Sequence, residues 1–173
     1  DWFRMRPSNL TIVAGRPGTG KTALLCTFAL NMGRNKKREG KGRILFISME
    51  MSVEEVTARF LSQVSGVAAT RIMDGKMTAD EWDKFNEAVA EFETPPIDIN
   101  DISALSISQI KTKARRSLRN GKDDVLIVDY LQLATSGDKK VNRVDEVGAV
   151  ARGLKVLASE TGYNVIAGAQ LSR

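Results

Sequence analysis

Residues 10–22 read LTIVAGRPGTGKT. Gly15, Gly20, Lys21 and Thr22 complete the pattern G-x-x-x-x-G-K-[ST]. An apolar run (Leu10, Ile12, Val13, Ala14) precedes it, and a second, Ala23 to Met32, follows. That strand–loop–helix setting separates a phosphate-binding loop from a chance glycine turn. Glycines let the backbone aim its N–H groups inward around a phosphate, and the following helix turns its positive end to the same anion. Gly15, Arg16, Pro17, Gly18, Thr19, Gly20, Lys21 and Thr22 are therefore expected to cradle a nucleoside triphosphate. Lys21 would reach the β- and γ-phosphates, and Thr22 would offer its hydroxyl to Mg²⁺.

Outward from this loop the chain alternates between apolar strands and amphipathic helices. Pro7-Ser8-Asn9 reads as a turn delivering the first strand. The first helix is expected from about Lys21 to Met32. Residues 33–42 carry Arg34, Lys36, Lys37, Arg38 and Lys41 against a single Glu39, and read as a solvated loop. Arg43–Ser48 (RILFIS) is a continuous apolar run, typical of a parallel strand covered on both faces.

Ser52 and Glu55 form a capping box ahead of Val53, Val56, Phe60 and Val64 at helical spacing. Thr78 and Glu81 form a second; Trp82, Phe85, Val89 and Phe92 behind it have the spacing of a core-facing stripe rather than a base-stacking platform. Thr94-Pro95-Pro96 is expected to end that helix, and Ile97-Asp98-Ile99 to form a short strand. Ser106 with Gln109 opens a helix with Ile107, Ile110, Ala114 and Leu118 inward. Its outer face carries Lys111, Lys113, Arg115, Arg116 and Arg119, which a solvated surface explains.

Val125–Asp129 is another buried strand, and residues 135–142 a polar loop with Lys139 and Lys140. From Asn142 to Glu160 a long helix is expected to turn Val144, Val147, Ala151, Leu154 and Leu157 to one side. Gly162 ends it before a last strand, Val165–Ala169. The order β-α-β-α-α-β-α-β-α-β predicts an α/β fold with a mostly parallel central sheet and helices on both faces.

Composition sets bounds on the chemistry. The chain has 173 residues, 42% of them hydrophobic and 27% charged, which suits one soluble domain. No run approaches the roughly 18–20 apolar residues of a membrane span, and no signal peptide opens the sequence, so a cytoplasmic location is expected. The sequence has no histidine. Histidine-based acid–base catalysis and metal ligation are thereby excluded, and with one cysteine so is a structural zinc site. Cys26 reads as a small core residue on the helix after the loop, in a reducing compartment. The net charge of +5 permits a nucleic-acid partner without requiring one.

In parallel sheets ligands bind beyond the carboxyl ends of the strands. The loop 15–22, Glu50, Asp129 and Gln170 should therefore converge on one crevice. Asp129 closes an apolar strand, the Walker-B position whose carboxylate holds magnesium. With no histidine available, Glu50 is a candidate to activate the attacking water; it could equally be an acid favoured at a helix start. Gln170 is either a γ-phosphate sensor or an exposed amide.

With these residues laid out, the chain resembles the C-terminal motor domain of DnaB-type replicative helicases, a RecA-like P-loop ATPase class. The resemblance spans nearly the whole chain. It rests on AGRPGTGKTAL (Ala14–Leu24), FISMEMS (Phe46–Ser52), IDINDISALSISQIKTKARR (Ile97–Arg116), LIVDYLQL (Leu126–Leu133), NRVDEVGAVARGLKVLA (Asn142–Ala158) and GAQLSR (Gly168–Arg173). The S-x-E-M, D-Y-L-Q-L and Q-L-S-R elements in this order are far more specific than the phosphate loop.

The resemblance implies Mg²⁺-ATP as cofactor, Glu50 as the catalytic carboxylate, Lys21 assisting from the loop, and Thr22 and Asp129 at the metal. Gln170 becomes the sensor that couples nucleotide state to DNA-binding loops. It also implies a homohexameric ring moving 5′ to 3′ on single-stranded DNA, with a primase and a loader as partners. Lys139, Lys140 and Arg143 fall where the family's channel loop lies and are candidate DNA contacts, a solvated loop being the alternative. Arg4 and Arg6 could touch nucleotide or a neighbouring subunit.

Compared with the family, residues 1–173 are expected to form one RecA-like domain lacking the later strands, a second DNA loop and the arginine finger. Such a piece should bind nucleotide, hydrolyse it poorly and not unwind DNA alone. Two further readings are a recombinase or clock-type RecA-like ATPase, and a nucleotide-gated loader or adaptor.

Overall fold

The structure, a computed structural model, describes residues 5–39, 43–92, 97–103, 105–119, 123–135 and 143–171. Five strands, β1 (Leu10–Gly15), β2 (Arg43–Ser48), β3 (Ile97–Asn100), β4 (Asp123–Asp129) and β5 (Asn164–Gln170), form one sheet. Every pairing is parallel, and the order across the sheet is β1-β5-β4-β2-β3. The helices are α1 (Lys21–Glu39), α2 (Val53–Ser65), α3 (Ala69–Asp74), α4 (Ala79–Phe92), α5 (Ile107–Arg119) and α6 (Arg143–Thr161).

Side chains of a strand alternate between the two faces of its sheet, and here both faces are covered. Ile44, Phe46, Val125, Ile127 and Ile166 pack under α1 and α2, against Leu25, Ala29, Val56 and Phe60. Leu45, Ile47, Leu126, Val128, Val165 and Ala167 face the other way. They meet Ile110 and Ala114 of α5 and Val150, Leu154 and Leu157 of α6. Two-sided burial is why these strands read as unbroken apolar runs. Each buried Val, Leu, Ile or Phe among them contributes about 1.5–3 kcal/mol. Tyr163, fully buried just before β5, donates its hydroxyl to Ala114 O (3.0 Å), so its polar atom is satisfied.

The three capping boxes form as read. Ser52 caps α2 and Ser52 N donates to Glu55 Oε2 at 2.9 Å. The backbone N–H groups of Thr78 and Ser106 donate to Glu81 Oε2 (2.7 Å) and Gln109 Oε1 (2.8 Å). Gly162, with φ 78°, closes α6.

Four expectations need correction. The first helix does not stop at Met32 but continues to Glu39, through part of the stretch read as a loop. One glycine costs a helix only about 1 kcal/mol, and Arg34–Arg38 are otherwise mostly good helix formers. The short α3 was not anticipated; its N-cap is Ala68, with no side-chain cap to read. Val144 is 80% exposed and does not join the inner stripe of α6. Trp82 is 42% exposed, so the α4 stripe packs edge-on (Trp82 to Phe85, 5.6 Å between rings) at the margin of the fold. The Thr94-Pro95-Pro96 stop lies outside the described residues. No helix among the described residues is long and apolar enough to cross a membrane.

Candidate nucleotide-binding site

All five strands run the same way, so their carboxyl ends share one edge of the sheet. A cleft of about 560 Å³ opens there, and its walls include Gly20, Lys21, Thr22, Glu50, Asp129 and Gln170. The groups expected to converge from four separate strand ends do so. Gly15, Arg16 and Thr19 shape the loop without lining the cleft; Pro17 and Gly18 do line it.

The loop is organised from within. Thr19 Oγ1 and Lys21 Nζ both donate to Arg16 O, at 2.7 and 3.2 Å. Gly18 and Gly20 take φ of 73° and 89°, a region closed to most other residues. Lys21 opens α1, so the positive end of a 19-residue helix faces the cleft.

Asp129 is 1% exposed at the end of β4. Thr22 Oγ1 donates to its Oδ2 at 2.6 Å, across 107 residues of sequence, while Oδ1 has no hydrogen-bond partner. Burial pushes the Asp129 carboxyl above the ordinary carboxylate value; the Thr22 hydrogen bond opposes that shift and the Glu50 charge adds to it. A buried carboxylate with one spare oxygen, beside a hydroxyl, is a hard-oxygen donor pair. It fits a magnesium ion that takes its remaining ligands from water and phosphate. Among the described residues no group of three His, Cys, Asp or Glu side chains is placed to hold a metal ion.

The backbone joins the two acids. Met49 N–H donates to Asp129 O at 2.9 Å, which brings the turn carrying Glu50 against the end of β4. Buried Ser48 pins the same turn: its Oγ donates to Met51 O (2.7 Å) and accepts from Met51 N–H (3.2 Å). Gln170, at the end of β5 between β1 and β4, also lines the cleft. The peptide bond between Asp129 and Tyr130 is cis.

Sequence reading missed Ser48, Glu55, Arg59 and Tyr130. Glu55 and Arg59 resemble an ordinary i,i+4 pair on a helix surface, and only the fold shows both on the cleft wall. Lys139 and Lys140 lie outside the described residues. Arg143 is the first residue of α6, and Arg6 is exposed and not among the cleft residues.

A phosphate loop on the first strand and an acid on β4 occur in many folds. The order β1-β5-β4-β2-β3, with a second acid closing β2, places this chain among the RecA-like P-loop ATPases. It belongs to the DnaB-like helicase C terminal domain family, whose pattern it matches over residues 4–173. The replicative DNA helicase DnaB of Rickettsia bellii is 38% identical over 99% of this chain. The chain spans 36% of that relative's length. Two solved structures superpose with a TM-score of 0.88. One, a DnaB-like replicative helicase described with its primase interactions, is 29% identical, covering 98% of this chain and 40% of the other. The second, the ATPase domain of G40P, is 30% identical, covering 97% and 59%.

Proposed function

We propose that this chain is the ATP-hydrolysing motor of a replicative DNA helicase, acting in a homohexameric ring that moves 5′ to 3′ on single-stranded DNA. The observation that carries the reading is the Thr22–Asp129 hydrogen bond in the wall of a cleft that Lys21, Glu50 and Gln170 also line. Those are the groups phosphoryl transfer to water requires, and membership in the helicase family supplies the context. It also favours the helicase over a recombinase, a clock-type ATPase or an adaptor.

In this reading ATP is held by the loop 15–22, with backbone N–H groups on the phosphates and Lys21 Nζ leaving Arg16 O to reach the β- and γ-oxygens. Thr22 and Asp129 hold magnesium, which when bound neutralises developing phosphate charge. Glu50 orients the attacking water and accepts its proton. Gln170 contacts the γ-phosphate and carries its presence to the chain beyond β5. Lys139, Lys140 and Arg143 contact DNA phosphates. By analogy with the primase-associated neighbour a primase is an expected protein partner, and the family resemblance adds a loader.

The test is unwinding by the full-length protein on forks with a single 5′ or a single 3′ tail. ATP-dependent unwinding that requires the 5′ tail is expected. Failure on both, with ATP turnover indifferent to single-stranded DNA, overturns the helicase reading in favour of the adaptor.

A further inference from the structure

Strand β5 loses one neighbour before it ends. Its ladder with β4 runs only as far as Val128 opposite Ala167, whereas its ladder with β1 continues to Gly15 opposite Gln170. Backbone groups of a strand point to alternate sides. Val165 N–H and Leu171 N–H face β1, donating to Asn9 O (2.9 Å) and Gly15 O (3.0 Å). Counting in twos, the N–H and C=O of Gln170 face the opposite side, where the chain has already left the sheet after Asp129. There it enters a single 3₁₀ turn, Leu131–Leu133.

The side chain of Gln132, in that turn, takes the place of the absent strand. Its Nε2 donates to Gln170 O at 2.7 Å, and its Oε1 accepts from Gln170 N–H at 3.0 Å. A primary amide carries a donor and an acceptor side by side, as a strand residue does. We propose that Gln132 is a positioning residue of the nucleotide cleft. It fixes the Gln170 backbone, and so the direction of the Gln170 side chain, from a turn three residues beyond Asp129. The inference rests on reading Gln170 as the γ-phosphate sensor. The amide pair thus ties the sensor to the chain leaving the metal-binding acid, with only Tyr130 and Leu131 between Asp129 and Gln132.

The experiment uses the full-length protein with Gln132→Met, which keeps the side-chain length and removes both bonds. Its companions are Gln132→Glu, which keeps only the acceptor, Gln170→Ala, and the double variants. Gln132→Met is expected to lower the ATPase kcat by about 10- to 100-fold, the range for a misplaced catalytic group. Affinity for a fluorescent ADP analogue should stay within about twofold, since ground-state binding is untouched. Hydrogen exchange at the Gln170 amide should accelerate. In the Gln170→Ala background neither Gln132 substitution should lower kcat further, because the two residues act as one unit.

Wild-type turnover in Gln132→Met beside a slow Gln170→Ala overturns the positioning role alone. So do multiplicative losses in the double variant, or ADP affinity falling in step with kcat. Wild-type turnover in Gln170→Ala overturns the sensor reading and the inference with it. If Gln132→Met does not fold, Gln132→Glu gives the same comparison: its kcat loss must vanish in the Gln170→Ala background.

Discussion

Asp129 keeps one buried oxygen without a partner, a liability of about 1–3 kcal/mol that folds retain where a ligand completes it. The space around that oxygen is closed by Gly168. A Cβ there would lie 3.0 Å from Asp129 Oδ1, 3.2 Å from Leu25 Cδ1 and 3.3 Å from Tyr130 Cβ. Gly168→Ala is expected to cost about 1–3 kcal/mol by chemical denaturation. It should also depress ATP turnover at temperatures where the variant remains folded, because the carboxylate oxygen is the nearest atom to the added methyl group. Wild-type stability and turnover together would show that the site tolerates the methyl group. In sequence Gly168 is one letter of an apolar strand; its role depends on Asp129, which only the fold brings beside it. Cys26 lies on the same side of the sheet and is fully buried. Burial foremost, with the Asp129 charge adding to it, pushes its thiol from 9.0 up to about 12. The folded value is the higher one, so this contribution to stability is complete below pH 9 and is lost as pH rises toward 12. The unfolding midpoint should fall across that window and iodoacetamide at pH 8 should label Cys26 only in denaturant; rapid labelling of the native protein contradicts the burial.

At the scale of elements, what was legible was local. The capping boxes join residues three apart, and the apolar strands announce themselves by continuous hydrophobicity, so α2, α4, α5 and β2 to β5 could be read to within a few residues. The end of α1 beyond Met32 was not legible, because glycine and clustered charge signal a loop as readily as an exposed helix end. Nor was α3, a six-residue helix with no side-chain cap at Ala68 and no buried residue of its own, which ends on Gly75 at φ 67°. The contact between α5 and α6 shows the same limit. A Cβ on Gly153 of α6 would collide with the side chain of Ile107 on α5, yet neither residue marks itself in sequence. Gly153→Ala is expected to destabilise the fold by about 1–3 kcal/mol, and the same change should cost less in an Ile107→Ala chain, which lacks the colliding Cγ1. An equal cost of Gly153→Ala in both chains would place the strain elsewhere.

For the molecule as a whole, alternation of strands and helices was enough to predict a parallel α/β sheet and to say which strand ends should meet. Strand order was not readable, since it depends on pairings between segments as distant as Leu10 and Val165. That order brings the phosphate loop, the two acids and Gln170 to one edge, and it joins one strong signal and three weaker ones in a single site. The role proposed for Glu50, activating water at that edge, can be read from the ATPase rates of the full-length protein and of Glu50→Gln, each with and without single-stranded DNA. The wild-type rate should rise several-fold with DNA, and the variant should bind ATP with unchanged affinity but not turn it over. Normal hydrolysis by Glu50→Gln would contradict that role, leaving Glu50 as an acid that merely precedes α2.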